Sequence, residues 1–139
     1  MLLIGSPAPN QREYYEACKK AAASNVEFLD HISQEQLVAY YQGAKVHILP
    51  SWFENAGLST LEAAVMGCNV VVSRRGFISE DLGDDGYYCD PASPPSIREA
   101  IDKAANADNS PSLQHKIRSY NWEQAAEKIL SAYKKVLNQ

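Results

Sequence analysis

Short apolar runs alternate along this chain with stretches of helical periodicity, and this alternation constrains the fold more than any other feature. The intervening stretches are about as long as a crossover between two parallel strands requires. The pattern therefore predicts an α/β fold built from βαβ units around a parallel sheet. The candidate strands are residues 1–5, 26–29, 46–50, 69–73 and 87–89, and the helices between the first four are residues 10–23, 34–43 and 57–67.

Local signals support the second and third helices. Ser33 is a typical N-cap residue before the helix at 34–43. Gly67 stands where a helix commonly ends. The apolar positions of the second helix fall on one face at the i, i+3, i+4 spacing, and they are Leu37, Tyr40 and Tyr41.

Beyond residue 91 the pattern is helical. A polar break spans residues 106–111, and a closing apolar stripe runs from Trp122 to Leu137. Neither an internal repeat nor a domain boundary is evident, so the length predicts a single domain over residues 1–139. An earlier apolar stripe in this region consists of Ile97, Ala100, Ile101 and Ala104.

Composition and charge argue against several classes of function. A net charge of -4 disfavours a general nucleic-acid or membrane-surface binder, because both need basic patches. No apolar run approaches the roughly 20 residues that span a bilayer. The run Met1–Ile4 is too short for a signal peptide and lacks a basic flank, so we interpret it as a strand.

The cysteines and histidines predict no special chemistry. The three cysteines are an odd number without C-x-x-C spacing, which favours reduced thiols in a cytosolic protein. The three histidines show neither H-x-H nor H-E-x-x-H spacing. We therefore expect no metal site.

The segment Ser51–Ala64 carries the strongest indication of chemistry. An apolar run ending at Pro50 leads through a loop into Gly-Leu-Ser and a helix, and a helix start of this kind presents free backbone N–H groups to an anion. Glu54 and Glu62 lie on either side of that turn and offer acceptors for sugar hydroxyls. Backbone N–H donors for a phosphate, beside carboxylate acceptors for sugar hydroxyls, suggest a site for a nucleotide-sugar.

The same segment, E-N-x-G-L-S-x-x-E-A after Pro50-Ser51, resembles the signature of the glycosyl transferases group 1 family. Further pieces occur in the order in which the family has them, so the resemblance covers nearly the whole chain. Each piece alone is weak, and the ordered set is strong. The pieces are Leu2–Ser6, Asn25–Leu29, Val70–Gly76 with Glu80, Gly86–Pro91 and Tyr120–Glu123.

The resemblance implies a retaining GT-B glycosyltransferase, of which this chain is most of the carboxyl-terminal half, a Rossmann-like doubly wound parallel sheet. The intact enzyme would transfer a sugar from a nucleotide diphosphate donor to an unidentified acceptor, with no cofactor and no metal. Its partners would be the nucleotide-sugar and the acceptor, with no nucleic acid. We expect it to lie in the cytoplasm, at most peripheral to the inner membrane face.

The resemblance also assigns roles to single residues. It places Glu54 against the donor sugar as the catalytic group and Glu62 on the ribose hydroxyls. Gly57 would allow close backbone approach, while Leu58 and Ser59 would offer their N–H groups to the diphosphate. The remaining donor-binding candidates are Ser51, His31 in the region of the base-binding loop, and Glu80 after the glycine loop.

Each of these candidates also has a purely structural interpretation. Ser59 to Glu62 is an S-x-x-E capping box, in which the glutamate reaches back to the cap residue. The others are a solvated Glu54, a turn glycine at Gly57, a bracing or capping Glu80, a loop residue at His31, and solvated basic residues at Arg74 and Arg75.

The sequence departs from the family at its beginning. The family's half-domain normally opens with another strand, a glycine turn, and an Arg and a Lys that grip the diphosphate; none precedes Leu2. Without that central strand and the amino-terminal domain, we expect this chain alone to be inactive. We expect one of two arrangements: residues 1–5 pair directly with residues 46–50, or a second copy of the chain supplies a strand. A monomer in which residues 1–5 lie at an open edge and pair only with residues 26–29 would show that neither arrangement occurs.

Two rival interpretations remain. The chain could be a non-catalytic Rossmann-like module used for partner binding. It could also be another nucleotide-binding Rossmann-like protein, although no G-x-G-x-x-G follows the first strand.

Overall fold

The computed structural model describes residues 1–137, and within them the strands alternate with helices throughout. The strands are β1 (Leu2–Ile4), β2 (Glu27–Leu29), β3 (Val46–Leu49), β4 (Asn69–Ser73) and β5 (Tyr87–Cys89). The helices are α1 (Arg12–Ala21), α2 (Gln34–Gly43), α3 (Leu58–Val65), α4 (Ile78–Leu82), α5 (Pro94–Asn106), α6 (Pro111–Arg118) and α7 (Trp122–Leu137).

The α/β class predicted from the alternation is confirmed. All five strands lie within one residue of their predicted bounds, and all are parallel to their partners. The short helices α4 and α6 were not predicted as separate elements. Helix α6 buries only Leu113 and Ile117, one turn apart, which is too little apolar periodicity to stand out in the sequence.

The chain divides into two compact units, residues 1–40 and residues 41 onward. The first unit contains the two-stranded sheet β1-β2, and the second contains the three-stranded sheet β3-β4-β5. Whether the two units form the single domain expected over residues 1–139 stays a prediction, and residues 138 and 139 lie outside the described part.

Of the two arrangements expected for residues 1–5, direct pairing with residues 46–50 is wrong, and a strand supplied by a second copy stays a prediction. Within residues 1–137, β1 pairs only with β2, which leaves its other edge open. The β1-β2 ladder is extended at both ends, because the Glu27 N–H donates to the Met1 carbonyl at 2.9 Å and the Gly5 N–H to the Leu29 carbonyl at 3.0 Å. These bonds tie residues 1–5 to the strand that follows them in the sequence.

In the first unit, helix α1 packs on the sheet through an edge-to-face contact between Tyr15 and Phe28, with ring centroids 5.7 Å apart. Helix α2 begins with the predicted Ser33 cap. The Gln36 N–H donates to the Ser33 hydroxyl at 3.2 Å, and the Ser33 N–H donates to the Gln36 side chain at 3.0 Å. This reciprocal pair satisfies two backbone donors at the helix start.

The second unit is a three-layer sandwich with β4 at its centre. Every residue of β4 is buried, as expected for a parallel strand covered on both faces. Val70 and Val72 belong to one apolar cluster, and Val71 belongs to the other. The other buried members are Ala64, Ile78, Leu82, Leu113 and Ile117 in the first cluster and Cys89, Ala100 and Ala104 in the second.

This architecture brings two loops together. Strands β3 and β4 are adjacent and parallel, so their carboxyl ends meet at one edge of the sheet, where open α/β sheets bind ligands. One loop leads from β3 into α3, and the other leads from β4 into α4. The candidate site is built from these two loops.

Helix α7 confirms the predicted closing helix, and none of its described residues is buried. Within residues 1–137, no helix is both long enough and apolar enough to cross a bilayer.

Candidate functional site

The two loops are joined at Glu54. Its backbone N–H donates to the Arg75 carbonyl at 3.0 Å, and its carbonyl accepts from the Phe77 N–H at 3.0 Å. Glu54 and Gly76 thereby form a parallel β-bridge beyond the ends of β3 and β4. Both backbone groups of the glutamate are satisfied, so its position relative to the second loop is fixed.

The bridge requires a glycine at position 76. Gly76 has φ of 106°, a backbone conformation that residues with a side chain rarely adopt. A Cβ added there would also overlap the backbone carbonyl of Glu54. The two loops can therefore approach this closely only because position 76 is a glycine.

Two serines brace the loops below the bridge. The buried Ser73 hydroxyl donates to the Ser51 carbonyl at 2.5 Å and accepts from the Arg75 N–H at 3.3 Å. The Ser51 hydroxyl in turn donates to Glu54 Oε2 at 3.4 Å. The predicted site residue Ser51 thus contacts both the second loop and the catalytic candidate.

The Glu54 carboxylate lies at the amino end of α3. Gly57 is the N-cap, with φ of 59°, and its N–H donates to Glu54 Oε1 at 3.2 Å. Its carbonyl accepts from Thr60 and Leu61, the first intrahelical bonds. No partner for the N–H groups of Leu58 and Ser59 occurs among residues 1–137. Two free donors at the positive end of a helix can hydrogen-bond an anion.

The capping-box interpretation of Glu62 is wrong. Helix α3 begins at Leu58, so Ser59 is already inside the first turn and the cap is Gly57, without a side-chain bond. Glu62 is exposed and lies four residues after Leu58, on the same side of the helix one turn further in. Its carboxylate is therefore free of any capping role.

A buried histidine supports the first turn of α3. His47 Nε2 lies 3.2 Å from the Thr60 hydroxyl, and its ring meets Tyr41 edge to face at 5.8 Å. Burial lowers the pKa of His47 from 6.5 to about 4, because the charged form would lose its hydration. The neutral imidazole thus joins β3 to the helix that carries the free amides.

The other predicted site residues lie apart from this cluster or in the other unit. Glu80 is exposed in the middle of α4, and no side-chain hydrogen bond to it occurs within the described chain. His31 belongs to the first unit, where it follows β2 and its N–H donates to the Ser6 hydroxyl at 3.3 Å. That bond links the loops after β1 and β2.

The two arginines after β4 are not simply solvated. The Arg74 guanidinium lies over the Tyr88 ring at 3.7 Å, and the Arg75 guanidinium over the Trp52 ring at 4.7 Å. Arg75 also pairs with Asp90 at 3.4 Å. Both cations are held against aromatic faces, which restricts their movement.

The structure thus brings together five of the predicted residues: Ser51, Glu54, Gly57, Leu58 and Ser59. Sequence reasoning had not singled out Ser73, His47 or the bridging role of Gly76. Two weak signals existed: a lone histidine inside the apolar run of β3, and a glycine three residues after the end of β4. Neither signal identifies the partner residue, because the contacts join different loops.

Replacing Gly76 with Ala should open the bridge. The added Cβ and the strained φ should lower the free energy of unfolding by at least about 2 kcal/mol. Urea unfolding measures this. Gly43→Ala is the matched control, since a Cβ there meets nothing within 4 Å and the position lies in a helix; it should be neutral or slightly stabilising. Equal effects of the two substitutions would contradict the account of the bridge.

His47 should make stability depend on pH. Its pKa is about 4 in the folded chain and near 6.5 when unfolded, so the unfolded state binds the proton first as the pH falls. Roughly 3 kcal/mol of stability should therefore be lost between pH 6.5 and pH 4. His47→Gln should remove this part of the pH profile, while His115→Gln, at an exposed position, should not. Parallel pH profiles for His47→Gln and the wild type would show that His47 is not buried as described.

Comparison with known proteins gives one consistent result. Residues 1–128 match the sequence model of the family Glycosyl transferases group 1. A D-inositol 3-phosphate glycosyltransferase from Corynebacterium diphtheriae is 30% identical over 145 residues, which cover 96% of this chain and 34% of that protein. The O-antigen chain mannosyltransferase B from Escherichia coli is 27% identical over 114 residues, covering 78% of this chain and 30% of that protein.

Solved structures agree on the fold. The sucrose-phosphate synthase from Thermosynechococcus elongatus superimposes with a TM-score of 0.78 at 23% identity, over 99% of this chain and 38% of its own. A glycosyltransferase involved in avilamycin A biosynthesis superimposes with a TM-score of 0.75 at 22% identity, over 99% of this chain and 43% of its own. Both are GT-B glycosyltransferases, and the chain spans about a third of the length of the relatives it matches. This chain belongs to the glycosyl transferases group 1 family and has the fold of part of a GT-B glycosyltransferase.

Proposed function

We propose that this chain is the donor-binding part of a retaining glycosyltransferase that takes a sugar from a nucleotide diphosphate. The observation that carries the proposal is a carboxylate, Glu54, fixed at the amino end of α3 beside two free backbone amides. The two amides can donate to an anion, and the carboxylate can accept from the hydroxyls of a sugar ring. Membership of the family supports glycosyl transfer in general.

In this proposal the donor diphosphate binds the N–H groups of Leu58 and Ser59. The helix dipole adds a partial positive charge at the same point. As the glycosidic bond to the nucleotide breaks, negative charge grows on the leaving phosphate, and amides already aimed at it stabilise that charge without reorganising. The expected role of Gly57 in ligand approach has no support here, because a Cβ at this buried position would meet the Ile78 side chain at 2.7 Å; the glycine is needed for the φ of 59° at the N-cap and for this packing.

Glu54 would act on the sugar itself. Glycosyl transfer passes through a transition state with positive charge on the sugar ring, by analogy with glycoside hydrolysis. A carboxylate held by Gly57 and Ser51 at 3.2 and 3.4 Å is positioned in advance, so little side-chain ordering is needed when the donor binds. The remaining lone pairs can accept from the donor's hydroxyls.

The other roles extend from this centre. Glu62 lies one helical turn beyond the free amides, so a ribose joined to the diphosphate would reach its carboxylate. The roles that the resemblance implies for the His31 loop, at the nucleotide base, and for Glu80, at the donor, stay predictions. The reaction would use no metal and would take place in the cytoplasm.

The whole reaction requires an acceptor site. We propose that residues 1–139 bind the donor and that transfer also requires the acceptor-binding half and the basic pair that the resemblance implies.

A single substitution on α3 tests the donor site. Glu62→Gln should weaken the binding of UDP, GDP or ADP, whichever binds best, by about tenfold, because a charged acceptor for the ribose hydroxyls becomes neutral. Isothermal titration calorimetry on the full chain measures the dissociation constants. Glu123→Gln changes an exposed glutamate on α7 and should leave them unchanged.

Two results would contradict the proposal. One is equal affinity of wild type and Glu62→Gln for every nucleotide that binds. The other is the absence of measurable binding by any nucleoside diphosphate, with the wild-type chain shown to be folded.

A further inference from the structure

A buried polar pair lies next to the two free amides of α3. The Thr60 hydroxyl lies 3.2 Å from His47 Nε2, and Thr60 is fully buried. Thr60 directly follows Leu58 and Ser59, whose N–H groups have no partner among residues 1–137. The pair therefore ties the first turn of α3 to strand β3 at the residue next to the free amides.

The N-cap of α3 supplies no side chain that could hold this first turn. Gly57 makes no side-chain hydrogen bond to the helix within the described chain. The first intrahelical bonds run from the N–H groups of Thr60 and Leu61 to the Gly57 carbonyl, at 2.8 and 3.0 Å. Helix ends fray unless caps or tertiary contacts hold them. The tertiary contact that Thr60 makes is therefore important for the order of the turn.

The hydrogen bond gives the turn an orientation as well as a contact. Valine at position 60 would fill nearly the same space, but an apolar contact has no preferred angle. A hydrogen bond does have one, and it weakens steeply away from it. Because an unpaired polar group in this buried place would cost free energy, the pair opposes any rotation of α3 that separates the two groups.

His47 is itself held by a second contact. Its ring meets the buried Tyr41 edge to face at 5.8 Å. The Tyr41 carbonyl accepts from the buried Cys68 thiol at 3.1 Å, and Cys68 follows the end of α3. The series Thr60, His47, Tyr41 and Cys68 thus holds α3 near both of its ends.

The imidazole acts by geometry and not by charge. Burial lowers the pKa of His47 to about 4, so the ring is neutral near pH 7. A neutral ring has one donor and one acceptor nitrogen, and a hydroxyl can pair with either. Any effect of His47 on the binding of an anion must therefore come from where it holds the helix.

We propose that His47 is a positioning residue for the donor site: through its bond to Thr60 it holds the Leu58 and Ser59 amides in the orientation that a phosphate needs. This inference rests on the proposed function, because it takes these amides as the groups that bind the diphosphate. It deepens that function by making the affinity depend on a buried residue that touches no ligand.

Inorganic pyrophosphate is the probe, because it needs the two amides and no group that recognises a sugar or a base. The full chain is titrated near neutral pH, and the Leu58 and Ser59 amide resonances are followed by NMR. Thr60→Val removes the hydroxyl and keeps the shape, so the dissociation constant should rise about tenfold. Thr60→Ser keeps a hydroxyl and should stay within about twofold of the wild type.

Ala100→Gly is the control for a general loss of stability. Ala100 is buried in the middle of α5 and belongs to the apolar cluster of Val71, whereas Ala64 of α3 belongs to the cluster on the other face of β4. Glycine there destabilises α5 without touching α3. It should leave the affinity for pyrophosphate unchanged, and circular dichroism checks that every variant is folded during the titration.

A double variant separates positioning from stability. His47→Phe removes the other partner of the same bond and should also weaken binding about tenfold. His47→Phe combined with Thr60→Val leaves neither partner unpaired, so it should be at least as stable as either single variant. It should still bind pyrophosphate as weakly as they do, because the oriented bond is absent. This variant also decides the question where a single variant does not fold.

Four results would overturn the proposal. They are no response of the wild-type Leu58 and Ser59 amides to pyrophosphate, unchanged affinity in Thr60→Val, equal weakening by Thr60→Val and Ala100→Gly, and wild-type affinity in the double variant. The last result would mean that His47 stabilises the fold and does not position the amides.

A parallel titration with UDP, GDP and ADP keeps the two proposals separate. If a nucleoside diphosphate binds at Leu58 and Ser59 equally in the wild type and in the Thr60 and His47 variants, only the role of His47 fails. If pyrophosphate binding depends on Thr60 and His47 as expected while no nucleoside diphosphate binds, the donor assignment fails and the role of His47 stands.

Discussion

Two backbone hydrogen bonds at Glu54 hold the candidate site together. They join the loop after β3 to the loop after β4 by way of the Arg75 carbonyl and the Phe77 N–H, each at 3.0 Å. The carboxylate of Glu54, and through it the N-cap glycine, take their positions from this join. Since the bonds involve only backbone atoms, the side chains around them are free to serve a ligand.

The sheet beneath makes the join rigid. Strand β4 is buried along its whole length, and its last residue, Ser73, reaches up to the Ser51 carbonyl. His47 anchors α3 from the neighbouring strand. A site mounted on a buried central strand and a supported helix start needs little rearrangement to bind an anion, and this preorganisation makes electrostatic stabilisation effective.

The sequence predicts those structural elements and helix ends that depend on local residue pattern. The strands follow from apolar runs, the Ser33 cap from its residue type and the position of Gly67 from helix termination, and all of these are confirmed. The capping-box interpretation of the S-x-x-E pattern at Ser59 is wrong because the helix starts at Leu58, two residues earlier than a Ser59 cap needs. Gly57 allows this early start, since it adopts the left-handed conformation and its N–H finds Glu54 instead.

Such local patterns do not predict contacts between loops that are distant in the sequence. Nothing local indicates that Gly76 faces Glu54, that Arg75 covers Trp52, or that His47 meets Thr60. Each contact depends on β3 and β4 being adjacent and in one register, which is a property of the sheet. The family resemblance supplied the candidate residues, but the contacts between them are visible only in the folded chain.

The most direct test of the central claim is a titration of the full chain with nucleoside diphosphates, followed residue by residue through backbone amide resonances. The account predicts that the largest shifts fall on the free amides of Leu58 and Ser59, with a smaller response at Gly57. Glu54→Gln, which neutralises the carboxylate beside these amides, should change the affinity while the same amides still respond. Shifts concentrated elsewhere, with Leu58 and Ser59 silent, would contradict an anion site at the start of α3.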